Sequence, residues 1–217
     1  MAIEQQLQPH RRDRIRVFID FWNLQITLNS REGKYVGNAD ARFDLDWALF
    51  PRVMASEAAN IVGLQDYSYD GAIVYASHRV GEADAPLRTW LTTRLDRQPG
   101  IQVVVKERRP KRVPTCPKCK RSIERCPHCN ERIAATEEKG IDTAMVTDMV
   151  RLAWEEAYDV GVVVSSDSDF VPAVEFLDAR GLKLIQAGFP PSGAHLATSC
   201  WASFDIYPLR EKFRRRK

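Results

Sequence analysis

The sequence predicts an α/β fold with a central, mostly parallel sheet flanked by helices. Three observations carry that prediction. Short apolar runs alternate with stretches of helical spacing along most of the 217 residues. One run, residues 160–165, is almost all valine, as expected of a strand covered on both faces. Two strand-like runs lead into aspartates, Asp20 and Asp167, at the sheet edge where open α/β folds bind ligands.

The elements follow in order. Residues 15–19 read as the first strand, with Phe21-Trp22-Asn23-Leu24 turning off it. Residues 30–41, polar with two glycines, read as a loop. Residues 46–62 are loosely helical through Leu49, Phe50, Val53, Ala58 and Ile61. Residues 67–77, centred on Ile73-Val74-Tyr75, give the second strand. Leu87, Leu91 and Leu95 mark one face of a helix over 87–98, and residues 101–106 give the third strand. An insertion follows at 107–137. Residues 143–158 place Met145, Met149, Leu152 and Ala153 on one helix face, with Asp142 as the expected N-cap. Residues 160–165 are the fourth strand, 170–180 a helix ended by Gly181, and 182–187 the fifth strand.

Charge is segregated within a total of +3. Residues 106–132 carry ten Lys and Arg against three Glu, a net of +7, and residues 210–217 carry six against one, a net of +5. The body is therefore acidic and the two appendages basic, which fits a metal site beside a polyanion-binding surface. The other reading of the basic stretches is solvated surface and a disordered tail. No apolar run approaches the ~20 residues of a membrane span. The polar first residues hold no secretory core, so a cytoplasmic location is expected.

Four of the five cysteines form Cys116-Pro-Lys-Cys119 and Cys126-Pro-His-Cys129. Paired Cys-x-x-Cys turns at short separation are the pattern of a tetrahedral structural Zn²⁺ site. Two disulfides are the competing reading, disfavoured in a reducing compartment. Cys200, beside Trp201, reads as a buried thiol.

Asp20, Asp142 and Asp167 come from three separate segments that converge on one sheet edge. Asp142 and Asp169 each have a simpler reading as helix caps. Clustered carboxylates repel one another, and a hard divalent cation such as Mg²⁺ or Mn²⁺ is the simplest compensation. No Ser/His or Cys/His nucleophile accompanies them, and the four histidines lie away from the aspartate motifs.

Three segments resemble the NYN domain of the PIN-like nuclease superfamily: Phe18-Ile19-Asp20-Phe21-Trp22-Asn23, Lys139-Gly140-Ile141-Asp142 with Asp148, and Ser165-Ser166-Asp167-Ser168-Asp169-Phe170-Val171-Pro172. The resemblance spans 14–209, with a zinc-ribbon-like insertion at 107–137, a polar extension at 1–13 and a basic tail at 210–217. It implies a PIN-like, Rossmann-like three-layer sandwich and a metal-dependent ribonuclease, with endonucleolytic cutting expected. It implies Asp20, Asp142 and Asp167 as metal ligands and catalytic residues, supported by Asp169. Asn23 then orients a ligand or meets substrate. Phe21-Trp22 is bulkier than the family's usual pair, which bears on substrate preference.

RNA is the expected partner. Lys139 and Ser166 are candidates to contact phosphate near the metal, and Arg108, Arg109, Lys111 and Arg112 to grip the backbone from the insertion. The insertion's other reading is docking on the domain, or mediating a homodimer or accessory contact. Two further classes stay open: a non-catalytic RNA-binding or scaffold protein, and a topoisomerase-primase type domain. The latter is disfavoured because Asp20 stands where that fold needs a glutamate.

Overall fold

The computed structural model describes residues 11–110, 113–131, 133 and 136–216. Lys111, Arg112, Arg132, Lys217 and most of the expected 1–13 extension lie outside the described residues. Among the described residues no helix is long and apolar enough to cross a membrane.

Seven strands make one sheet in the order β4-β3-β2-β1-β5-β6-β7. They are β1 (Asp13–Asp20), β2 (Tyr67–Arg79), β3 (Ile101–Pro110), β4 (Thr136–Glu137), β5 (Val160–Val164), β6 (Lys183–Gly188) and β7 (Ala202–Asp205). All neighbours pair in parallel except β3 with β4. The helices are α1 (Phe21–Val36), α2 (Phe50–Val62), α3 (Ala85–Trp90, continued by a π turn over Leu91–Leu95), α4 (Ile141–Trp154), α5 (Val171–Asp178) and α6 (Ala194–Ser199).

The two-residue period of the strands divides the core into two layers. Ile15, Val17 and Ile19 of β1 join Ala72, Val74 and Ala76 of β2 and Val160, Val162 and Val164 of β5 on one face, beneath α1 and α2. Phe18, Ile73, Tyr75 and Val163 point to the other face, beneath α4 and α5. Full burial of each such side chain contributes about 1.5–3 kcal/mol. Gly161 shares that second face because nothing larger fits: a Cβ there would stand 2.7 Å from Leu184 and 3.1 Å from Tyr158.

Three expectations differ from the structure. Residues 21–24 and 30–36 are not turn and loop but parts of α1. Asp20 caps that helix by accepting from the Asn23 amide, and Gly37 closes it in the left-handed conformation, φ 70°. Asp142 is not an N-cap: Gly140, φ 82°, holds that position, and Asp142 lies in the first turn with no capping bond. Residues 210–216 are not a loose tail. Phe213 is fully buried, its carbonyl accepts from the Asp46 amide, and Arg214 bridges Glu32 and Glu211. An aromatic side chain and a paired arginine hold this basic segment to the body.

Candidate active site

The site lies at the carboxyl ends of β1 and β5 and the amino end of α4. The ligand oxygens of Asp142, Asp167 and Asp169 all lie within 4.8 Å of one another. Among the described residues this is the group of His, Cys, Asp or Glu side chains gathered closely enough to hold an ion. Such a spacing suits oxygen ligands around one hard cation. Burial pushes the Asp142 carboxyl up from its ordinary pKa, and the charges of Asp167 and Asp169 push it further. Carboxylates this close repel one another, and a cation among them would relieve that repulsion.

Asp20 does not belong to this trio but is coupled to it. Only 7% exposed, it accepts from the Asn23 amide at 3.1 Å and from the Ser165 hydroxyl at 3.2 Å. Its pKa is raised to about 6, first by burial, with smaller upward contributions from Asp142 and Asp167.

The local sequence explains why these groups hold their places. Ser165, directly after β5, has a buried hydroxyl that donates to Asp20 and accepts from the Asp167 amide at 3.1 Å, so one side chain joins two aspartates. Asp167 in turn accepts from the Asp169 amide at 2.9 Å, which curls the chain into the turn Ser168–Phe170. Asp167, rather than Asp169, is therefore the capping residue here. Gln186 of β6 donates to the Ser165 and Gly193 carbonyls and pins the loops from behind. Gly193, φ 76°, must be glycine, since a Cβ would stand 2.8 Å from Ser166 Cα.

The remaining candidates separate. Asn23 Oδ1 accepts from the Ser166 amide at 3.0 Å, so Asn23 braces the loop that carries Asp167. The Ser166 hydroxyl is sealed from solvent without a hydrogen-bond partner, so in this conformation it cannot meet the predicted phosphate. Asp148 is away from the trio, accepting from Tyr75 Oη at 3.0 Å and paired with Arg151. Lys139 is exposed and pairs with Glu137 at 2.8 Å. Phe21 is core, stacked on Trp47, whereas Trp22 is partly buried with the Arg108 guanidinium over its ring.

Arg108 is not a free surface cation. Its guanidinium lies over the Trp22 ring at 5.0 Å, with Nε on Ser77 Oγ at 2.9 Å and Glu138 at 3.5 Å. Glu138 and Ser77 are the site residues that sequence reasoning missed. Burial raises the Glu138 carboxyl and Arg108 opposes that rise, while the charges of Asp20 and Asp142 add to it. Ser77 Oγ donates to Glu138 and its carbonyl accepts from Trp22 Nε1 at 2.7 Å. The available signals were a glutamate directly before Lys139-Gly140-Ile141-Asp142 and hydroxyls at strand ends.

The four cysteines form two matching turns. In each, the first thiol is lowered by two backbone amides and by its partner thiol, Cys119 for Cys116 and Cys129 for Cys126. Lys120 and Asn130 hold positive φ, 60° and 57°, and their amides return to the Cys116 and Cys126 carbonyls. N–H groups aimed at thiolates fit Zn²⁺ ligands. The two pairs do not bring three sulfurs within 4.8 Å of one another.

In comparisons with known proteins, no curated protein matches the chain. A solved structure of a protein of unknown function from Vibrio parahaemolyticus is similar in fold. It has a TM-score of 0.56 and 20% identity, and the match covers 96% of this chain and 100% of that one. The NYN domain matches residues 14–205, a range that contains every aspartate of the site. By that match, the chain belongs to the NYN domain family.

Proposed function

We propose that the chain is a metal-dependent ribonuclease that hydrolyses RNA phosphodiester bonds endonucleolytically with Mg²⁺ or Mn²⁺. The observation that carries this reading is the Asp142, Asp167 and Asp169 trio at the carboxyl edge of a parallel sheet in an NYN domain. These three carboxylates would hold the ion. The bound cation supplies charge for the phosphate and lowers the pKa of a water.

The protein's own groups do the positioning. Ser165 fixes Asp167 relative to Asp20, so the buried carboxylate and the metal loop move as one unit. Glu138, which senses the charges of Asp20 and Asp142, keeps Arg108 folded onto Trp22 before substrate arrives. Preorganised charge of this kind acts where negative charge develops on phosphorus. The two cysteine turns would hold a structural Zn²⁺ that supplies folding free energy to an insertion with little apolar core.

The test is incubation of purified protein with single-stranded and structured RNA in Mn²⁺, Mg²⁺ or EDTA, beside Asp167→Asn. Cleavage that needs metal and disappears in the variant, at unchanged melting temperature, is the expected result. RNA binding without cleavage in any metal would replace this reading with a non-catalytic RNA-binding protein.

A further inference from the structure

A cavity of about 440 Å³ opens between the approach to α2, the end of α3 and the loop before β3. None of the residues lining it belongs to the aspartate cluster or to the cysteine turns. Its volume is that of a small-molecule site. Three separate elements each bring an arginine to it: Arg52 of α2, Arg94 of the π turn after α3, and Arg215 near the carboxyl end. All three are exposed, and among the described residues none has an ion-pair partner. Arg52 lies over the Tyr69 ring at 5.0 Å, which leaves Arg94 and Arg215 as the uncommitted pair. Asp46 is the carboxylate of the lining, and its Oδ1 is taken by the Ala48 and Leu49 amides at 2.9 and 3.1 Å. Trp47 and Trp90 supply aromatic wall. Trp47 is buried and stacked on Phe21, while Trp90 is only partly buried and meets Trp47 edge to face at 6.0 Å. Gln98 also lines the cavity, and its Oε1 is sealed from solvent without a hydrogen-bond partner.

We infer that this cavity binds a free nucleoside phosphate, with the base against Trp90 and the phosphate held by Arg94 and Arg215. The inference stands apart from the ribonuclease reading, since it uses none of that site's residues. Three features support it. The lining carries three positive charges against one negative, so it favours an anion, and guanidinium forks match phosphate oxygens in pairs. A bare anion would leave the indole wall and the Gln98 oxygen unused. A nucleobase supplies a π-face for the first and N–H donors for the second. Trp90 is braced by Trp47 and by Phe21, at 6.0 and 6.3 Å between ring centres, so the stacking surface is in place before a ligand arrives. A preformed platform spares the ordering cost of binding.

The experiment is isothermal titration calorimetry of the full chain in EDTA with adenosine and guanosine monophosphates, the matching nucleosides, inorganic phosphate and a short oligoribonucleotide. Arg94→Ala/Arg215→Ala, at exposed positions and with its melting temperature checked, is run beside wild type and Asp167→Asn. The mononucleotides are expected to bind wild type and Asp167→Asn equally. The nucleosides and inorganic phosphate should each bind at least about tenfold more weakly than the mononucleotide, since each lacks one half of the contacts. The double arginine variant should lose about tenfold or more in mononucleotide affinity, the effect of a lost charge-assisted hydrogen bond. Absence of mononucleotide binding, or binding unchanged in the arginine variant, would overturn the inference. Loss of binding in Asp167→Asn would assign the nucleotide to the carboxylate site instead. Inorganic phosphate binding as tightly as the mononucleotide would remove the role of the base. Tighter binding of the oligoribonucleotide, by a margin that the arginine variant abolishes, would overturn the assignment to a free nucleotide.

Discussion

Asn23 and Ser166 meet across the sheet edge, the Ser166 amide donating to Asn23 Oδ1 at 3.0 Å. One residue stands in the first turn of α1 and the other directly precedes Asp167. The bond ties the helix that follows β1 to the loop that follows β5, and so fixes where Asp167 points. Asn23→Ala removes one hydrogen bond, a stability cost of roughly 0.5–1.5 kcal/mol. It also lets the loop shift, and misplacement near 1 Å costs up to about a hundredfold in rate. The expected outcome is a kcat reduced by about tenfold or more with a small change in Tm. Asn23→Asp, which keeps the acceptor, should retain more of the rate. Equal kcat in Asn23→Ala and wild type would remove the bracing role.

The buried Asp20 makes stability depend on pH in the metal-free protein. Its folded pKa, about 6, exceeds the ordinary value of 3.8, so the folded state binds the proton more tightly. Stability from this group is fully present below pH 3.8 and falls as pH rises to about 6. Above that it stays at its minimum. The shift corresponds to about 3 kcal/mol as an upper figure. Asp20→Asn should therefore raise Tm in EDTA at pH 7.5 and give little difference near pH 4. Thermal melts across that range check this, and a variant less stable than wild type at pH 7.5 would contradict it. Mn²⁺ should recover stability in wild type by neutralising the cluster.

Much of this was legible because strand periodicity and the aspartate motifs are strong local signals. The valine run of β5 and the Asp167-Ser168-Asp169 turn could be read directly. Helix α1 was readable too: Phe21, Leu24 and Leu28 are a buried helical stripe. It was obscured because the buried Glu32, paired with Arg214, takes the next apolar position, and because Gly33 sits inside the helix. β4 had no signal of its own, since its two residues pair only because the insertion brings them back to β3. The pairing of Arg108 with Trp22 and Glu138 depends on that same long-range closure. Sequence spacing placed Arg108 with its basic neighbours, and the third dimension separates it from them.

That separation gives Arg108 and Arg109 different expected phenotypes. Arg108 is about three-quarters buried, its side chain 26% exposed, and it lies between Trp22, Ser77 and Glu138. Arg108→Ala leaves Glu138 unpaired beside Asp20 and Asp142, so it adds repulsion as well as removing a cation. Arg108→Lys keeps the charge but loses the planar fork and the ring contact. Both should lower kcat by roughly 10–100-fold, in the range of lost electrostatic stabilisers. Arg109→Ala should mainly raise KM. Steady-state kinetics at saturating Mn²⁺ distinguish the two, and an Arg108→Ala variant altered only in KM would return it to the surface grip.

The cysteine turns lead to a prediction about stoichiometry. Each pair is preshaped by backbone amides that lower the first thiol below its ordinary value, which favours its thiolate form. Two thiolates alone leave a Zn²⁺ half-coordinated, and structural zinc takes four protein ligands. The pairs should therefore close on one shared ion, giving about one zinc per chain. Cys116→Ser/Cys119→Ser should then lose the whole of the zinc rather than half, and Cys126→Ser/Cys129→Ser should do the same. Cys200, a partly buried thiol packed against the core in another part of the fold, should contribute nothing to the count. Elemental analysis of protein purified without chelator makes the measurement. Half-occupancy retained in either double variant would show that each pair holds its own ion, with the remaining ligands drawn from outside the insertion.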